Sequence, residues 1–222
     1  MELAQLAVFV RPPTAGTVKT RLAPRFGEEG AARLYRAFVE DTISLCSRVR
    51  AAGRVHLAIW SAGSDEAVSD WAKRLGTTQR IQPEGDLGVR LAAAFDEGLR
   101  EYERVVIIGS DLPTLPIELI GAAFDSLDNS GFMLGPAQDG GYYAVGASEG
   151  VRPSFEGVRW STDHALADTV KANAPQRPAI LPPWYDIDEP EDLDVLRAHL
   201  SADSSAAPAT ARCMAELYRA QR

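Results

Sequence analysis

Short apolar runs alternate with longer segments of helical periodicity along most of the chain. Continuous apolar runs predict buried strands at 6–10, 55–60 and 105–108, and shorter runs predict strands at 78–82 and 179–181. Helical spacing and helix start and stop signals predict helices at 28–52, 65–75, 89–102, 162–174 and 190–200, with another opening at Pro116. This order predicts the α/β class, with a three-layer α/β/α sandwich around a mostly parallel sheet.

One segment breaks this alternation. The runs at 132–134 and 142–145 flank a glycine-rich stretch, 135–141, which is typical of a hairpin. An antiparallel pair there makes the predicted sheet mixed. Residues 1–200 are predicted to form one domain. A linker or frayed end follows at 201–210, and 211–222 is predicted to form a short helix with Met214, Leu217 and Tyr218 on one face.

The composition is that of an ordinary globular protein of 222 residues, with 45% hydrophobic and 24% charged residues. The 23 lysines and arginines against 31 acids give a net charge of −8, so we expect no nucleic-acid partner and no membrane partner. Cys46 and Cys213 stand far apart, without the spacing of a zinc site or a disulfide framework. No basic leader and no apolar run of about 20 residues occurs, so a cytoplasmic location is expected.

The loop after the first strand, 11–22, is rich in groups that bind anions. Gly16 permits a close backbone approach, and donors follow from Thr17, Lys19, Thr20 and Arg21. This combination suits a polyphosphate, which accepts from backbone N–H groups, a lysine point charge and an arginine fork. It is not a Walker A loop, because Pro13 and Val18 stand where that pattern requires glycines. An ordinary surface loop with solvated charges is the alternative.

Two groups of acids are candidates for holding a divalent cation. Asp111 lies just past the most apolar strand, where a carboxylate is costly unless it is paired or bound to a metal. Capping of the next helix is the alternative, although that helix opens only at Pro116. Asp186 and Asp188 alternate along an extended segment and point to the same side, so either could join Asp111 on one ion. Asp188 or Glu189 could instead cap the helix that follows.

Two further acids lie in turns that contain glycine. Asp86 belongs to the stretch 85–88 and Asp139 to the stretch 139–141. Each could be functional, or could simply make an Asx-type bond within its turn. The sequence alone leaves both interpretations open.

Six segments, in order from about residue 5 to 200, together resemble one family. They are 13–22 (PTAGTVKTRL), 85–90 (GDLGVR), 109–113 (GSDLP), 135–143 (GPAQDGGYY), 160–162 (WST) and 186–193 (DIDEPEDL). Each is modest alone, but six in sequence is a specific signal. The chain resembles the GT-A-like nucleotidyl- and glycosyltransferases, which have the nucleotide-diphospho-sugar transferase fold. Within them it is most similar to the small bacterial "transferase 1" branch, formerly a domain of unknown function.

This resemblance implies roles for individual residues. Nucleotide contacts would come from Arg11, Gly16, Thr17, Lys19, Arg21, Gly85, Asp86, Gly88 and Arg90. Mg²⁺ or Mn²⁺ would be held by Asp111 together with Asp186 or Asp188. The acceptor side would be shaped by Asp139, Gly140, Gly141 and Trp160.

The single acid in 109–113, where glycosyltransferases of this superfamily usually carry Asp-x-Asp, favours nucleotidyl transfer. An acceptor phosphate would attack the α-phosphorus of a nucleoside triphosphate, and pyrophosphate would leave. Asp111 would hold the metal, while Lys19 and Arg21 stabilise the leaving charge. Two alternatives stay open: glycosyl transfer from a nucleotide-sugar with Asp139 as base, and a nucleotide-binding module without turnover. The expected partners are a nucleotide donor and a small-molecule acceptor, and a homodimer is also open.

Overall fold

The structure, a computed structural model, describes residues 4–53, 55–77 and 79–221. Thr78, the predicted first residue of the third strand, and Arg222, the predicted last residue of the C-terminal helix, lie outside the described residues. The described strands are β1 Ala4–Val10, β2 Val55–Ser61, β3 Gln79–Ile81, β4 Arg104–Ile108, β5 Phe132–Pro136, β6 Tyr142–Ser148 and β7 Ala179–Ile180. The described α-helices are α1 Ala23–Ala52, α2 Glu66–Arg74, α3 Leu87–Gly98, α4 Ile117–Ser130, α5 Ala165–Ala172, α6 Asp192–Ala202 and α7 Pro208–Ala220.

All seven strands form one sheet in the order β3-β2-β1-β4-β6-β5-β7. Strands β3, β2, β1 and β4 are mutually parallel, and in the centre Val8 pairs with Ile59 on one side and Ile108 on the other. Strand β6 runs antiparallel to both β4 and β5, whereas β7 is parallel to β5. The predicted mixed, mostly parallel sheet and its late antiparallel hairpin are therefore confirmed.

The sheet separates two apolar cores. One core packs α1, α2, α4, α6 and α7 against strand residues such as Leu6 and Val8. The other packs α3 and α5 against residues such as Ala7 and Ile107. Neighbours along a strand point to opposite faces, so the continuous apolar runs fill both cores and confirm the three-layer sandwich. Each fully buried aliphatic side chain contributes about 1.5–3 kcal/mol of hydrophobic stabilisation.

Helix boundaries depart from the predictions where local hydrogen bonds decide them. α3 begins at Leu87 rather than Val89, because the Asp86 carboxylate accepts a hydrogen bond from Val89 N at 3.0 Å and caps the helix. α6 begins at Asp192, whose own carboxylate accepts from the amides of Asp188 and Glu189 at 2.9 and 2.8 Å. Asp188 therefore keeps its side chain free for other contacts.

The C-terminal helix α7 packs on α1. The buried carboxylate of Asp41, in α1, accepts hydrogen bonds from Ala209 N at 3.0 Å and Thr210 N at 2.8 Å, and so fixes the first turn of α7. Met214 and Leu217 are buried against this side of the molecule, as the predicted apolar face requires. The segment between α6 and α7 is only 203–207, shorter than the predicted linker. Among the described helices, none is both long and apolar enough to cross a membrane.

Candidate active site

A cleft of about 380 Å³ lies at the carboxyl ends of β1, β3 and β4, beside the first residue of β6 and the segment that follows β7. Ligands of α/β proteins collect at this edge of the sheet, where strand ends and loops leave polar groups exposed. The cleft brings together nine of the residues singled out from the sequence, namely Arg11, Lys19, Arg90, Asp111, Asp139, Gly141, Trp160, Asp186 and Asp188.

Lys19 lies in the middle of this cleft, between two carboxylates. Its Nζ donates a hydrogen bond to Asp188 Oδ1 at 2.7 Å and forms an ion pair with Asp111 Oδ1 at the same distance. Its side chain is only 4% exposed, and its backbone has the left-handed conformation, with φ 47° and ψ 41°. Burial alone would lower the pKa of Lys19, but the two carboxylates outweigh it and raise the pKa above its usual value.

Asp111 is held by the backbone as well as by Lys19. The amide of Ile187 donates to Asp111 O at 3.1 Å, which joins the loop after β4 to the acidic segment after β7. Next to it, the Ser110 hydroxyl lies 3.0 Å from the hydroxyl of Tyr35, which also accepts from Arg11 N at 2.8 Å. Burial, with a smaller effect of Asp111, raises the pKa of Tyr35 to about 12, so this hydroxyl stays protonated.

Three carboxylates form a second acidic group. Asp139, Asp186 and Asp188 each place one oxygen within 4.8 Å of the others. Asp139 also accepts from Gly141 N at 2.8 Å, which orients its side chain. Burial, followed by the charges of Asp139 and Asp188, raises the pKa of Asp186 to about 7. The three carboxylates repel one another, and a divalent cation between them would neutralise this repulsion. Their oxygens would fit a hard cation such as Mg²⁺ or Mn²⁺ after a small movement of the side chains toward the ion.

These contacts change the predicted metal set. Asp111 and Asp188 do meet on one cation, but that cation is the Lys19 ammonium. The carboxylate that joins Asp186 and Asp188 is Asp139, which the sequence had suggested for the acceptor side. Asp188 belongs to both groups and so connects them.

A second group of lining residues, Arg90 and Trp160, carries hydrogen-bond donors, and we call it the donor end of the cleft. Arg90 Nη1 donates to Gln82 Oε1 at 3.3 Å, and Gln82 Nε2 donates in turn to Trp60 O at 2.9 Å. Arg90 Nε and Trp160 Nε1 are buried and have no hydrogen-bond partner among the described residues. An unpaired buried donor costs about 1–3 kcal/mol, so two in one cleft are typical of a site completed by acceptors on a ligand.

Trp160 occupies this end because of a close contact with α3. A side chain at Gly88 would come within 2.9 Å of Phe155 Cβ and 3.2 Å of Trp160 Cζ2, so only glycine permits this packing. Gly88 therefore shapes the cleft without lining it. Trp160, predicted for the acceptor side, lines the same cleft as Arg90, and its acceptor role stays a prediction.

Five other predicted nucleotide contacts are used within the protein. Thr17 Oγ1 donates to Thr14 O at 2.8 Å, and Asp86 caps α3. Arg21 lies outside the lining of the cleft, in an exposed ion pair of 3.0 Å with Glu189. Gly16 and Gly85 both have positive φ, 76° and 131°, and supply turn conformations rather than lining groups.

Gly140, predicted for the acceptor side, has a packing role. It has a φ of 83°, and a side chain there would come within 2.3 Å of Asp163 O. Its carbonyl accepts from Leu166 N at 2.9 Å, which joins the loop after β5 to the start of α5.

Three residues of the cleft were missed by sequence reasoning. Tyr35 matched the apolar periodicity of a helix, and Gln82 closed a predicted strand, so neither stood out. Tyr142 belongs to the predicted strand and to the segment 135–143 but had no role of its own, although its ring faces Trp160 edge-on, with 6.2 Å between ring centroids. An amide at the end of a predicted strand is the signal that could have found Gln82, whereas Tyr35, inside a helix, has no such signal.

The fold and the cleft define the class: a nucleotide-diphospho-sugar transferase (GT-A-like) fold with its polar site at the carboxyl edge of the sheet. The chain belongs to the bacterial family described as "Uncharacterized protein conserved in bacteria (DUF2064)", whose sequence profile matches residues 45–162. The predictions of fold class and family are therefore confirmed.

A crystal structure from Desulfovibrio desulfuricans G20, named as a candidate nucleotide-diphospho-sugar transferase, is similar over 99% of this chain and 98% of its own. Its sequence identity is 32% and its TM-score 0.87. A search of curated proteins gave no significant match.

Two more distant structures share the fold alone. CMP:2-keto-3-deoxy-manno-octonic acid synthetase, complexed with CTP, is 10% identical over 90% of this chain and 99% of its own, with a TM-score of 0.56. Glucosyl-3-phosphoglycerate synthase from Mycobacterium tuberculosis, in complex with Mg²⁺ and UDP, is 14% identical over 89% of this chain and 78% of its own, with a TM-score of 0.55.

Proposed function

We propose that this protein is a divalent-cation-dependent transferase that uses a nucleotide donor. The reaction favoured is nucleotidyl transfer from a nucleoside triphosphate to a small phosphorylated acceptor, with release of pyrophosphate. One observation carries the proposal. The same cleft holds three carboxylates suited to a divalent cation, the Lys19 ammonium, and the unpaired N–H groups of Arg90 and Trp160. A nucleotide bound to a metal offers the matching groups, since it has anionic phosphates at one end and acceptor atoms at the other.

The residues would divide the work as follows. Asp139, Asp186 and Asp188 would hold Mg²⁺ or Mn²⁺, which when bound neutralises charge on phosphate oxygens. Lys19 and Arg11, both in the cleft, would bind phosphate oxygens directly. Arg90 and Trp160 would donate to acceptor atoms on the rest of the ligand, which satisfies their buried N–H groups. In-line positioning and charge neutralisation then supply most of the rate acceleration.

The chemistry needs no general base if the acceptor is a phosphate. Such a group is ionised at neutral pH, so its oxygen can form the new bond to the α-phosphorus directly. The bond from that phosphorus to the bridging oxygen breaks, and pyrophosphate takes the electron pair. Asp111, the single acid in the loop after β4, supports this reaction. The named activities of two proteins with similar folds support it as well. They are the CTP-bound synthetase above and a cytidylyltransferase from Leptospira borgpetersenii, 14% identical over 99% of this chain and 95% of its own, with a TM-score of 0.54.

Glycosyl transfer from a nucleotide-sugar is the second candidate. It is favoured by the name of the Desulfovibrio relative and by one group in the cleft. An acceptor hydroxyl needs a base, and burial raises the pKa of Asp186 to about 7, within the range that suits a base at neutral pH. Asp186 would act as this base in a site where Asp139 and Asp188 alone hold the cation, because a carboxylate bound to the cation does not accept the proton.

A ligand panel followed by product analysis tests the proposal. Thermal unfolding with Mn²⁺ and each common nucleoside triphosphate or nucleotide-sugar identifies the donor, since a ligand at about 100 times its Kd stabilises by about 2.7 kcal/mol. Pyrophosphate released from a triphosphate and a phosphorylated acceptor would support nucleotidyl transfer. Nucleoside diphosphate released from a nucleotide-sugar would support the second candidate. Stabilisation without either product would support a non-catalytic nucleotide-binding module, and no stabilisation by any nucleotide would refute the proposal.

A further inference from the structure

The Lys19 ammonium occupies a position that a divalent cation would need. Its Nζ lies 2.7 Å from Asp111 Oδ1 and 2.7 Å from Asp188 Oδ1. The two carboxylate oxygens can therefore be no farther apart than these two contacts together. Mg²⁺ or Mn²⁺ bridging them would bind each oxygen at about 2.1 Å, in the space that Nζ fills. Lys19 and an ion bridging Asp111 and Asp188 exclude each other.

Lys19 has no simple way to leave this position in the free protein. Its side chain is 4% exposed, so the ammonium has little contact with water. Both carboxylates favour its charged form, which prevents it from leaving as a neutral amine. A buried ammonium moves only if another anion receives it, because an uncompensated charge in a buried position is strongly unfavourable. Glu189, the next acid along the chain, already pairs with Arg21.

A polyphosphate in the cleft supplies such an anion. Lys19 and Arg11 line the same cleft from the loop after β1, so phosphate oxygens placed between them would accept from both. Movement of Nζ onto a phosphate would free the Asp111 and Asp188 oxygens at the same time. The negative charge that draws Lys19 away thus also exposes the ligands that the cation needs.

We propose that Lys19 holds the position between Asp111 and Asp188 until a nucleotide arrives, so that a cation on the group of Asp139, Asp186 and Asp188 gains Asp111 as a further ligand only together with a nucleotide, and free divalent cation binds weakly. The inference rests on the proposed nucleotide binding and specifies its substrate as the metal-loaded nucleotide. Asp111 then has two successive partners, the ammonium in the free protein and the cation in the loaded one. Asp188 contributes in both states, because it also belongs to the group with Asp139 and Asp186.

Mn²⁺ titration followed by electron paramagnetic resonance tests this inference without an activity assay. The wild type, Lys19→Met and the matched control Arg21→Met, which removes an exposed cation of the same segment, are titrated with Mn²⁺ alone. The titrations are then repeated with α,β-methylene analogues of CTP and of GTP. We expect Lys19→Met to bind Mn²⁺ alone about tenfold more tightly than the wild type, and Arg21→Met to match the wild type. We also expect either analogue that binds to tighten Mn²⁺ binding to the wild type at least tenfold.

An unchanged or weaker affinity of Lys19→Met for Mn²⁺ alone would overturn the inference. If neither analogue affects the wild type but Lys19→Met still gains Mn²⁺ affinity, the competition stands and the proposed nucleotide function fails. Thermal unfolding gives a second readout, since two unpaired carboxylates should make Lys19→Met gain more stability from Mn²⁺ than the wild type does. Lys19→Gln, neutral but able to hydrogen-bond, replaces Lys19→Met in the same titrations if the latter does not fold.

Discussion

Two parts of the cleft are held in place in different ways. Backbone hydrogen bonds position the acidic end, which consists of Asp111, Asp188 and Lys19. Side-chain packing positions the donor end, which consists of Arg90 and Trp160. At the acidic end, the bond from Ile187 N to Asp111 O joins the backbones of the two acidic segments. The donor end depends on contacts between α3 and the loop before α5.

This difference separates two tasks within one site. Groups fixed by the backbone keep the geometry that charge neutralisation requires, and a displacement of about 1 Å there strongly lowers the reaction rate. Groups fixed by side-chain packing can change with little effect on the fold, and they decide which ligand fits. The acidic end is therefore expected to determine turnover and the donor end to determine nucleotide affinity.

The largest effect is expected from Asp188→Asn. Asp188 serves both the Lys19 contact and the carboxylate group with Asp139 and Asp186, so its loss should lower kcat by about 10²–10³-fold. Product release under saturating nucleotide and Mn²⁺ measures this, with thermal unfolding as a check on folding. Glu189→Gln, the exposed neighbour, is the matched control and should stay within threefold of the wild type. Near-normal kcat in Asp188→Asn would contradict the role of the acidic end.

A smaller effect, on affinity alone, is expected from Trp160→Phe. The substitution keeps an aromatic ring but removes the buried N–H together with part of the indole, so KM for the nucleotide should rise about tenfold with kcat nearly unchanged. Trp184→Phe is the control, because Trp184 Nε1 is also buried without a partner among the described residues but lies outside the lining of the cleft. Equal KM in both variants would show that the donor end does not contact the ligand.

The third prediction concerns stability of the metal-free protein. The raised pKa of Asp186, about 7, means that the folded state keeps this proton at pH values where the unfolded chain has lost it. The wild type therefore loses stability as pH rises from about 4 to 7, whereas an amide does not titrate. Asp186→Asn should be more stable than the wild type by about 1 kcal/mol at pH 8 and equal to it near pH 4. The figure of about 1 kcal/mol allows for the screening of Asp186 by solvent.

Urea unfolding with EDTA at several pH values measures this difference. Asp194→Asn, on an exposed position of α6, is the control and should show no such trend. A pH-independent difference between Asp186→Asn and the wild type would mean that neither burial nor the neighbouring carboxylates raise the pKa of Asp186.

The smallest effect is expected from Arg21→Ala. Its ion pair with Glu189 is exposed on both sides and contributes about 0.5 kcal/mol or less. Because Arg21 lies outside the lining of the cleft, kcat should change less than threefold, in contrast to its predicted role on the leaving group. A fall in kcat of tenfold or more would mean that Arg21 enters the cleft when the ligand binds.

Most of the fold and the acidic end could be predicted from the sequence. Continuous apolar runs identify strands buried on both faces, and the carboxyl ends of parallel strands meet at one edge, so Asp111 could be placed at that edge without coordinates, with Asp186 and Asp188 both open as its partner. The position of the Lys19 ammonium between Asp111 and Asp188 could not be predicted. It depends on the left-handed backbone of Lys19, a conformation that a non-glycine residue rarely adopts and that no local pattern announced.

The donor end was less predictable for a physical reason. The family resemblance implies ligand contacts for Gly88 and Gly140, but in the structure the groups closest to these glycines include Trp160 and the backbone of Asp163. Sequence identifies a position that needs glycine, and only the tertiary structure identifies what lies against it. Asp86 likewise turned out to cap α3, one of the two interpretations that the sequence left open.

We propose that nucleotide and divalent cation meet at Asp188 in this cleft. Crystals grown with Mn²⁺ and the donor nucleotide allow the ion to be located by its anomalous scattering. We expect an anomalous peak in contact with a carboxylate oxygen of Asp188 and a phosphate oxygen, with Lys19 Nζ moved onto the phosphates. A nucleotide bound outside the cleft, or Mn²⁺ bound away from Asp188, would contradict it.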